Sequence, residues 1–342
     1  MTTTPTRVLR YWQAELEALQ LEMRRNPKVV LLGEDIAGAA GRERQGFVEG
    51  WGGPYGTTRG LVQEFGRSRV IDTPISEAGF LGAAAGLAES GYRPWVDIMF
   101  PSFLGVCLDQ LITNVAQKYH LFGRQRSVPV VVKTLINNHG VLYSIPAHIP
   151  GLKVVAPSNP YNVKGLTLAA LRDDDPVVIF DNISLLRTEG PVPDEDYVVP
   201  IGKAAVVREG EDVTLVGISA MTNVCLEAAA ALLERGISAE VIDLLSLAPL
   251  DADSIIESVR KTRRLVVVDE GFPQYSPARD IIAVVAERAF SDLVAPPRAV
   301  TAPHAFRPFS PPLNAAYAPS CGSVLSVVIE MLESSIPRPT AR

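Results

Sequence analysis

The chain is poor in cysteine and histidine. Its 342 residues include three cysteines and four histidines. Cys107, Cys225 and Cys321 lie far apart, form no C-x-x-C pair and cannot all pair with one another. The sequence therefore predicts a reducing compartment and no zinc site. His120, His139, His148 and His304 are too scattered for a multi-histidine metal centre. No block of one charge sign stands out either: 32 lysines and arginines against 38 acids give a net charge of −6. That argues against a nucleic-acid surface, which needs clustered cations to neutralise phosphates. Apolar runs such as FLGAAAGLA stop well short of the ~18 residues that span a bilayer. Residues 1–27 mix charges into an amphipathic helix and lack the apolar stretch of a secretion signal. These absences together predict a cytoplasmic protein with no membrane and no nucleic-acid partner.

What is present is a core. Apolar residues make up 47% of the chain, enough for about two domains at roughly 150 residues each. The β-branched runs KVVLLG, RVIDTP, RPWVDIMF, VPVVVKT, LKVVAPS and DPVVIFDN alternate with helical patterns, the rhythm of an α/β fold with a mostly parallel sheet covered on both faces. The Pro-rich acidic passage 188–202 has too few apolar residues to join a core and marks a boundary. The expected division is 1–190, a linker at 191–202, and 203–342. Beyond it the alternation resumes, with Ser219 and Asp251 as helix openers and Gly236 as a terminator. The Pro-rich stretch 302–320 reads as an irregular surface loop before a last helix.

Open parallel sheets bind ligands at the carboxyl ends of their strands. None of the loops there carries G-x-G-x-x-G, a P-loop or a G-x-S-x-G elbow. The informative segment is IDTPISEAGFLGAAAGLAESG, residues 71–91. A strand ends at Asp72, Pro74 breaks it, Ser76 is placed to cap a helix, and Glu77 falls in its first turn. Two readings of Glu77 stand side by side. A first-turn carboxylate complements the helix macrodipole, worth about 0.3–1 kcal/mol. Enclosed among Ala78–Gly86, it becomes an acid with a raised pKa that can share a proton with a heteroaromatic nitrogen. The small residues that follow also let another helix approach closely.

The order of motifs then becomes recognisable. GEDIAG, WGGPYGTTRGL, DTPISEAGFLGAAAG, GYRPWVDIMFPSF, LDQLITNVAQK, HIPGLKVVAPSNPYNVKGL, RDDDPVVIFDN and VIDLLSLAPLD resemble, in sequence order, the β subunit of the thiamine-diphosphate-dependent decarboxylase component of 2-oxo acid dehydrogenase complexes. The acetoin and pyruvate types are the most similar, and the resemblance runs from about residue 7 to 335. It implies a pyrimidine-binding domain followed by a transketolase C-terminal-type domain. It also implies a separate α subunit that holds the diphosphate and Mg2+ on a G-D-G…N motif, which this chain lacks, and an α2β2 heterotetramer. The acyl group would pass to a lipoyl acyltransferase or an acyl carrier protein.

The resemblance also assigns residues. Glu77 matches the glutamate that hydrogen-bonds N1′ of the cofactor's aminopyrimidine, and Phe103 matches the aromatic that stacks on that ring. Glu34 and Asp35 stand where related enzymes place acids between paired active sites, although a solvated turn reads the same in sequence. The loop 172–176 resembles a stretch whose main-chain oxygens ring a monovalent cation such as K+. Val130, Ala170, Leu171, Asp173 and Asp175 are the candidates, and a plain acidic turn is the alternative. One passage departs from the pattern. The family's long Gly-rich loop ending in His-Ser-Gln is replaced by the shorter LINNHGVLYSIPAH. His139 stands nearly where the loop histidine belongs, and His148, in HIPGLKVV, matches a residue lining the site; each could equally be a loop histidine that caps backbone groups. The departure keeps open a two-carbon transferase that loads a carrier protein, and a non-catalytic scaffold chain.

Overall fold

The computed structural model describes residues 7–38, 52–123, 127–137 and 141–334. They form two compact units, one from the residues up to 137 with Ile145–Ile201, the other from 141–144 with 202–334. The N-terminal unit opens with β1 (Arg7–Arg10), α1 (Tyr11–Arg25), β2 (Val29–Gly33), α2 (Leu61–Phe65), β3 (Val70–Asp72), α3 (Glu77–Glu89) and β4 (Arg93–Asp97). It continues through α4 (Lys118–Leu121), β5 (Val131–Ile136), α5 (Ser144–Ala147), β6 (Lys153–Val155), α6 (Pro160–Arg172), β7 (Val177–Asn182) and β8 (Glu189–Val192).

Six of these strands run parallel in the order β6, β7, β5, β4, β2, β3. Strands β2, β5 and β7 are buried at every residue, because a parallel sheet carries helices on both faces. The chain passes from β2 to β3 on one side and then to β4 on the other. That reversal opens a crevice at the carboxyl ends of β2 and β4. Gly33, the last residue of β2, lies in register with both Asp72 and Asp97. A Cβ on Gly33 would stand 3.1 Å from the Asp97 Cβ, so glycine lets the two strand ends close up.

Two details of the N-terminal unit differ from the sequence reading. The Pro-rich passage is not wholly irregular: its first residues form β8, which pairs antiparallel with β1 and buries Val192. A two-stranded ribbon between such distant segments leaves no local periodicity to read. Ser76 is the N-cap of α3, but its hydroxyl makes no cap hydrogen bond. Instead its Oγ sits 2.8 Å from where a Cβ on Gly79 would be, in space the glycine leaves open.

The C-terminal unit contains β9 (Ala205–Arg208), β10 (Val213–Gly217), α7 (Met221–Leu233), β11 (Ala239–Asp243), the short β12 (Ser246–Ala248), α8 (Ala252–Thr262) and β13 (Leu265–Asp269). It ends with α9 (Pro277–Ala289), β14 (Arg298–Thr301), α10 (Pro311–Tyr317) and α11 (Cys321–Glu333). Its sheet runs β14, β13, β10, β11, β9, parallel except for the edge strand β9. Asp251 caps α8 as expected, accepting from the Ser254 N–H at 3.4 Å. Ser219 does not open α7. The helix starts at Met221, and Ser219 is buried in a left-handed conformation with φ 53°. Gly217 runs so close to Thr222 that the chain must turn sharply before the helix can begin. The stretch 302–320, expected as loop, contains α10 because Pro311 supplies a preset first turn. Pro311–Glu333 contains an 18-residue window with a mean hydropathy of 1.4 and is long and apolar enough, by length and composition, to cross a membrane. Yet α10 and α11 are separate helices, with extended backbone at Ala318 and Ser320 between them.

Asp269, at the end of β13, is fully buried and accepts a hydrogen bond from the Gly271 N–H at 2.8 Å. Burial pushes its carboxyl up to about 6. An unfolded aspartate titrates near about 3.9, so the folded chain holds this proton more tightly, a stabilisation complete below pH ~4 and lost as pH rises through about 6. The span of two pH units is worth about 3 kcal/mol. Urea unfolding of Asp269→Asn between these pH values should show a flatter stability profile than the parent chain; an identical slope would refute the assignment.

Candidate functional site

The crevice at the ends of β2 and β4 collects the chemistry. Glu34 follows β2 directly, Asp97 closes β4, and Glu77 starts α3. Glu77 is 9% exposed, and among the described residues no hydrogen bond or ion pair engages its carboxylate. Burial raises the Glu34 carboxyl above its ordinary range, and the neighbouring Asp35, Glu77 and Asp97 add to the effect. One crevice thus brings Glu34, Asp35, Glu77 and Asp97 near one another.

Past β4 the chain kinks. Met99 takes a left-handed conformation, φ 58°, and its N–H donates to Asp97 Oδ1 at 2.8 Å. Phe100 then leads a 3-10 turn, Pro101–Gly105, that carries Phe103. The Phe103 ring is tilted 58° to Phe100 at 5.4 Å between centroids, and Tyr55 meets Phe100 edge-on at 6.3 Å. The Tyr55 hydroxyl also hydrogen-bonds the Asn137 side chain beyond β5. Cys107 lies between the two key positions: its Sγ is 3.6 Å from the Phe103 carbonyl, and Glu77 acts on its thiol electrostatically. Burial first, and then Glu77, push that thiol up to about 12, so Cys107 is a packed, inert wall. A π-helical segment, Gln110–Ala116, packs on α3 where Gly82 leaves room for the Gln110 side chain.

Beneath this floor lies a charged network that the sequence reading did not single out. Lys133 is 1% exposed, with Asp97 Oδ2 at 3.3 Å and Asp181 Oδ2 at 4.0 Å. Asp181 accepts from the Tyr11 hydroxyl at 2.7 Å, and Glu15, one turn along α1 from Tyr11, is enclosed beside it. Burial lifts Glu15 well above the usual carboxylate range, with Asp181 adding to it. Burial alone would pull Lys133 down; Asp97, Glu15 and Asp181 outweigh it and hold the ammonium charged. The signal was present in the sequence as single charged residues inside apolar strands: VVKTLI, RPWVD and VVIFDN.

The other candidates are not gathered here. His139 lies outside the described residues. His148 is exposed just past α5, with no hydrogen bond or ion pair to Glu77 or Phe103. Val130, Ala170, Leu171, Asp173 and Asp175 cluster at the opposite, amino end of the sheet. There the carbonyls of Leu171 and Asp173 accept from Arg93 Nη1 at 3.3 and 2.6 Å, while the Val130 carbonyl serves the Val177 N–H. The Asp173 and Asp175 carboxylates face Lys153 at 2.7 and 3.1 Å. Among the described residues no group of three or more His, Cys, Asp or Glu is arranged to hold a metal.

The family "Transketolase, pyrimidine binding domain" matches residues 7–188, and "Transketolase, C-terminal domain" matches 202–324. "Acetoin:2,6-dichlorophenolindophenol oxidoreductase subunit beta" of Bacillus subtilis (strain 168) is 47% identical, covering 95% of this chain and 98% of the relative. "Pyruvate dehydrogenase E1 component subunit beta" of the same organism is 38% identical over 94% of this chain and 98% of the relative. Among solved structures, "Split gene transketolase, inactive beta4 tetramer" shares the fold, with a TM-score of 0.76 at 22% identity, covering 95% of this chain and 98% of that one. Matched nearly end to end by such relatives, with a pyrimidine-binding domain over more than half its length, the chain belongs to the transketolase-like family of β subunits of thiamine-diphosphate-dependent 2-oxo acid and acetoin dehydrogenases.

Proposed function

We propose that this β chain acts on acetoin in a heterotetramer with an α subunit that brings the diphosphate and Mg2+ site. The observation that carries the reading is Glu77: enclosed, without a protein partner among the described residues, and at the start of a helix beside an aromatic turn. An enclosed carboxyl group of this kind suits the N1′ edge of an aminopyrimidine. When bound, thiamine diphosphate supplies the carbon nucleophile and electron sink for cleaving a bond next to a carbonyl. Glu77 would hold and return a proton at N1′, and Phe103 would stack on the ring face. Water is kept back by the buried residues around Glu77, including Phe80, Leu81 and Cys107.

The acyl product would go to a lipoyl acyltransferase or to an acyl carrier. A monovalent cation such as K+ would be ringed by the oxygens of Val130, Ala170, Leu171, Asp173 and Asp175. Those residues fit it only in part, since Arg93 already brings a positive charge to two of them. The acetoin relative is 47% identical and the pyruvate relative 38%, which favours acetoin as donor. The shortened passage 135–148 favours a second reading, transfer of a two-carbon ketol unit from a ketose phosphate.

The reconstituted αβ complex, assayed side by side with acetoin, pyruvate, a branched-chain 2-oxo acid and a ketose phosphate, decides between them. Acetoin should give a kcat/KM at least about tenfold above the rest, a difference of roughly 1.4 kcal/mol in transition-state binding. A higher value with another donor would replace the proposal. Uptake of thiamine diphosphate with no turnover on any donor would make the chain a scaffold.

A further inference from the structure

We infer that Asp97, braced by Lys133, is the positioning residue that sets the Phe103 ring against the cofactor; the inference rests on the reading of Phe103 as the stacking aromatic. The chain of contacts is short. Lys133 Nζ stands 3.3 Å from Asp97 Oδ2, and Asp97 Oδ1 accepts from the Met99 N–H at 2.8 Å. Met99 is thereby held at φ 58°, where L side chains are rarely found. The kink is clamped to β5 on either side, by Ile98 N–H to the Lys133 carbonyl and by Leu135 N–H to the Met99 carbonyl, at 2.9 and 2.8 Å. Immediately after it, the Phe103 N–H donates to the Phe100 carbonyl at 2.9 Å, fixing the turn that carries the ring.

Each link has a physical reason. An aspartate two residues before a left-handed position closes a small ring with the backbone and offsets the strain of a side chain there. A lone carboxylate 7% exposed would be costly, and Lys133 supplies the opposing charge from the neighbouring strand. Lys133 itself faces Glu15 and Asp181 on its far side, so it cannot swing away without leaving those acids uncompensated. The network beneath the sheet therefore works as a strut, and its upper end is the aromatic turn. Cofactor affinity then depends on a hydrogen bond made to no part of the cofactor.

The test uses the αβ complex and three variants. Asp97→Ala should raise the cofactor KM about tenfold, the size of one lost positioning hydrogen bond, while kcat at saturating cofactor stays within about twofold. Asp97→Asn keeps an acceptor for the Met99 N–H and should stay within about threefold of the parent KM. Adding Met99→Gly to Asp97→Ala should recover most of the lost affinity, because glycine takes the left-handed turn without help. That rescue does not restore the Asp97 charge to Lys133, so a role confined to charge balance would show none. Amide hydrogen exchange across residues 98–106 reads the same strut without cofactor: faster in Asp97→Ala, slowed again in the double variant. Unchanged exchange in Asp97→Ala, or no rescue by Met99→Gly, overturns the inference. A parent complex that bound no thiamine diphosphate would instead strike the functional reading, while exchange still decided the strut.

Discussion

Replacing Glu77 by glutamine is expected to lower kcat about 10²–10⁴-fold, the range for a positioned acid or base, with the heterotetramer still assembling. Glutamine keeps the size of the side chain and the start of α3, so packing around Phe80, Leu81 and Ala84 should survive. What it loses is the ability to take and return a proton at the heteroaromatic nitrogen. Single-turnover and steady-state rates on the reconstituted complex measure the loss, and size-exclusion chromatography checks assembly. Turnover close to that of the parent would remove Glu77 from the mechanism. A variant that failed to assemble would point to a structural duty for the carboxylate, against its lack of partners among the described residues.

The second large effect is expected from Lys133→Met. Methionine replaces the aliphatic stem of lysine but leaves Asp97, Asp181 and Glu15 facing one another without the ammonium. Breaking a buried charge pair from one side typically costs about 3–5 kcal/mol. The loss should depend on pH in a defined direction. Burial holds the Glu15 carboxyl well above its unfolded value, so its protonated form favours folding at low pH and that contribution is lost as pH rises. Without Lys133, Asp97 and Asp181 would also bind protons more tightly when folded. The deficit relative to the parent should thus be smaller near pH 5 than near pH 8. Urea unfolding at both values measures it, and a deficit that grew in acid would refute the account.

Lys133 also illustrates where sequence reading stopped. Its strand is legible in the sequence, because VPVVVKT is a β-branched run. Its partners were not, because Asp97 lies on β4, Asp181 on β7 and Glu15 on α1. Nothing in a linear pattern says that three acids from three elements meet one lysine. The only hint was the charge itself, set in runs too apolar to reach solvent. Ser219 shows the opposite error. Serine before a helical pattern is a sound N-cap by propensity, but the close pass of Gly217 against Thr222 moves the helix start one residue later, to Met221 with Ala220 as its N-cap.

Periodicity, breakers and motif order were enough, by themselves, to determine the alternating elements, the start of α3 and the position of Glu77 within its first turn. These depend on neighbours a few residues apart, where backbone sterics and capping dominate. Tertiary structure alone decided that Glu77 is enclosed and unpaired among the described residues, that Phe103 rides on a left-handed kink, and that a buried lysine braces that kink. It also paired β1 with β8 and gave two oxygens of the cation-ring candidates to Arg93. Such features follow from which surfaces meet when distant segments pack, and desolvation then fixes which charges must find each other.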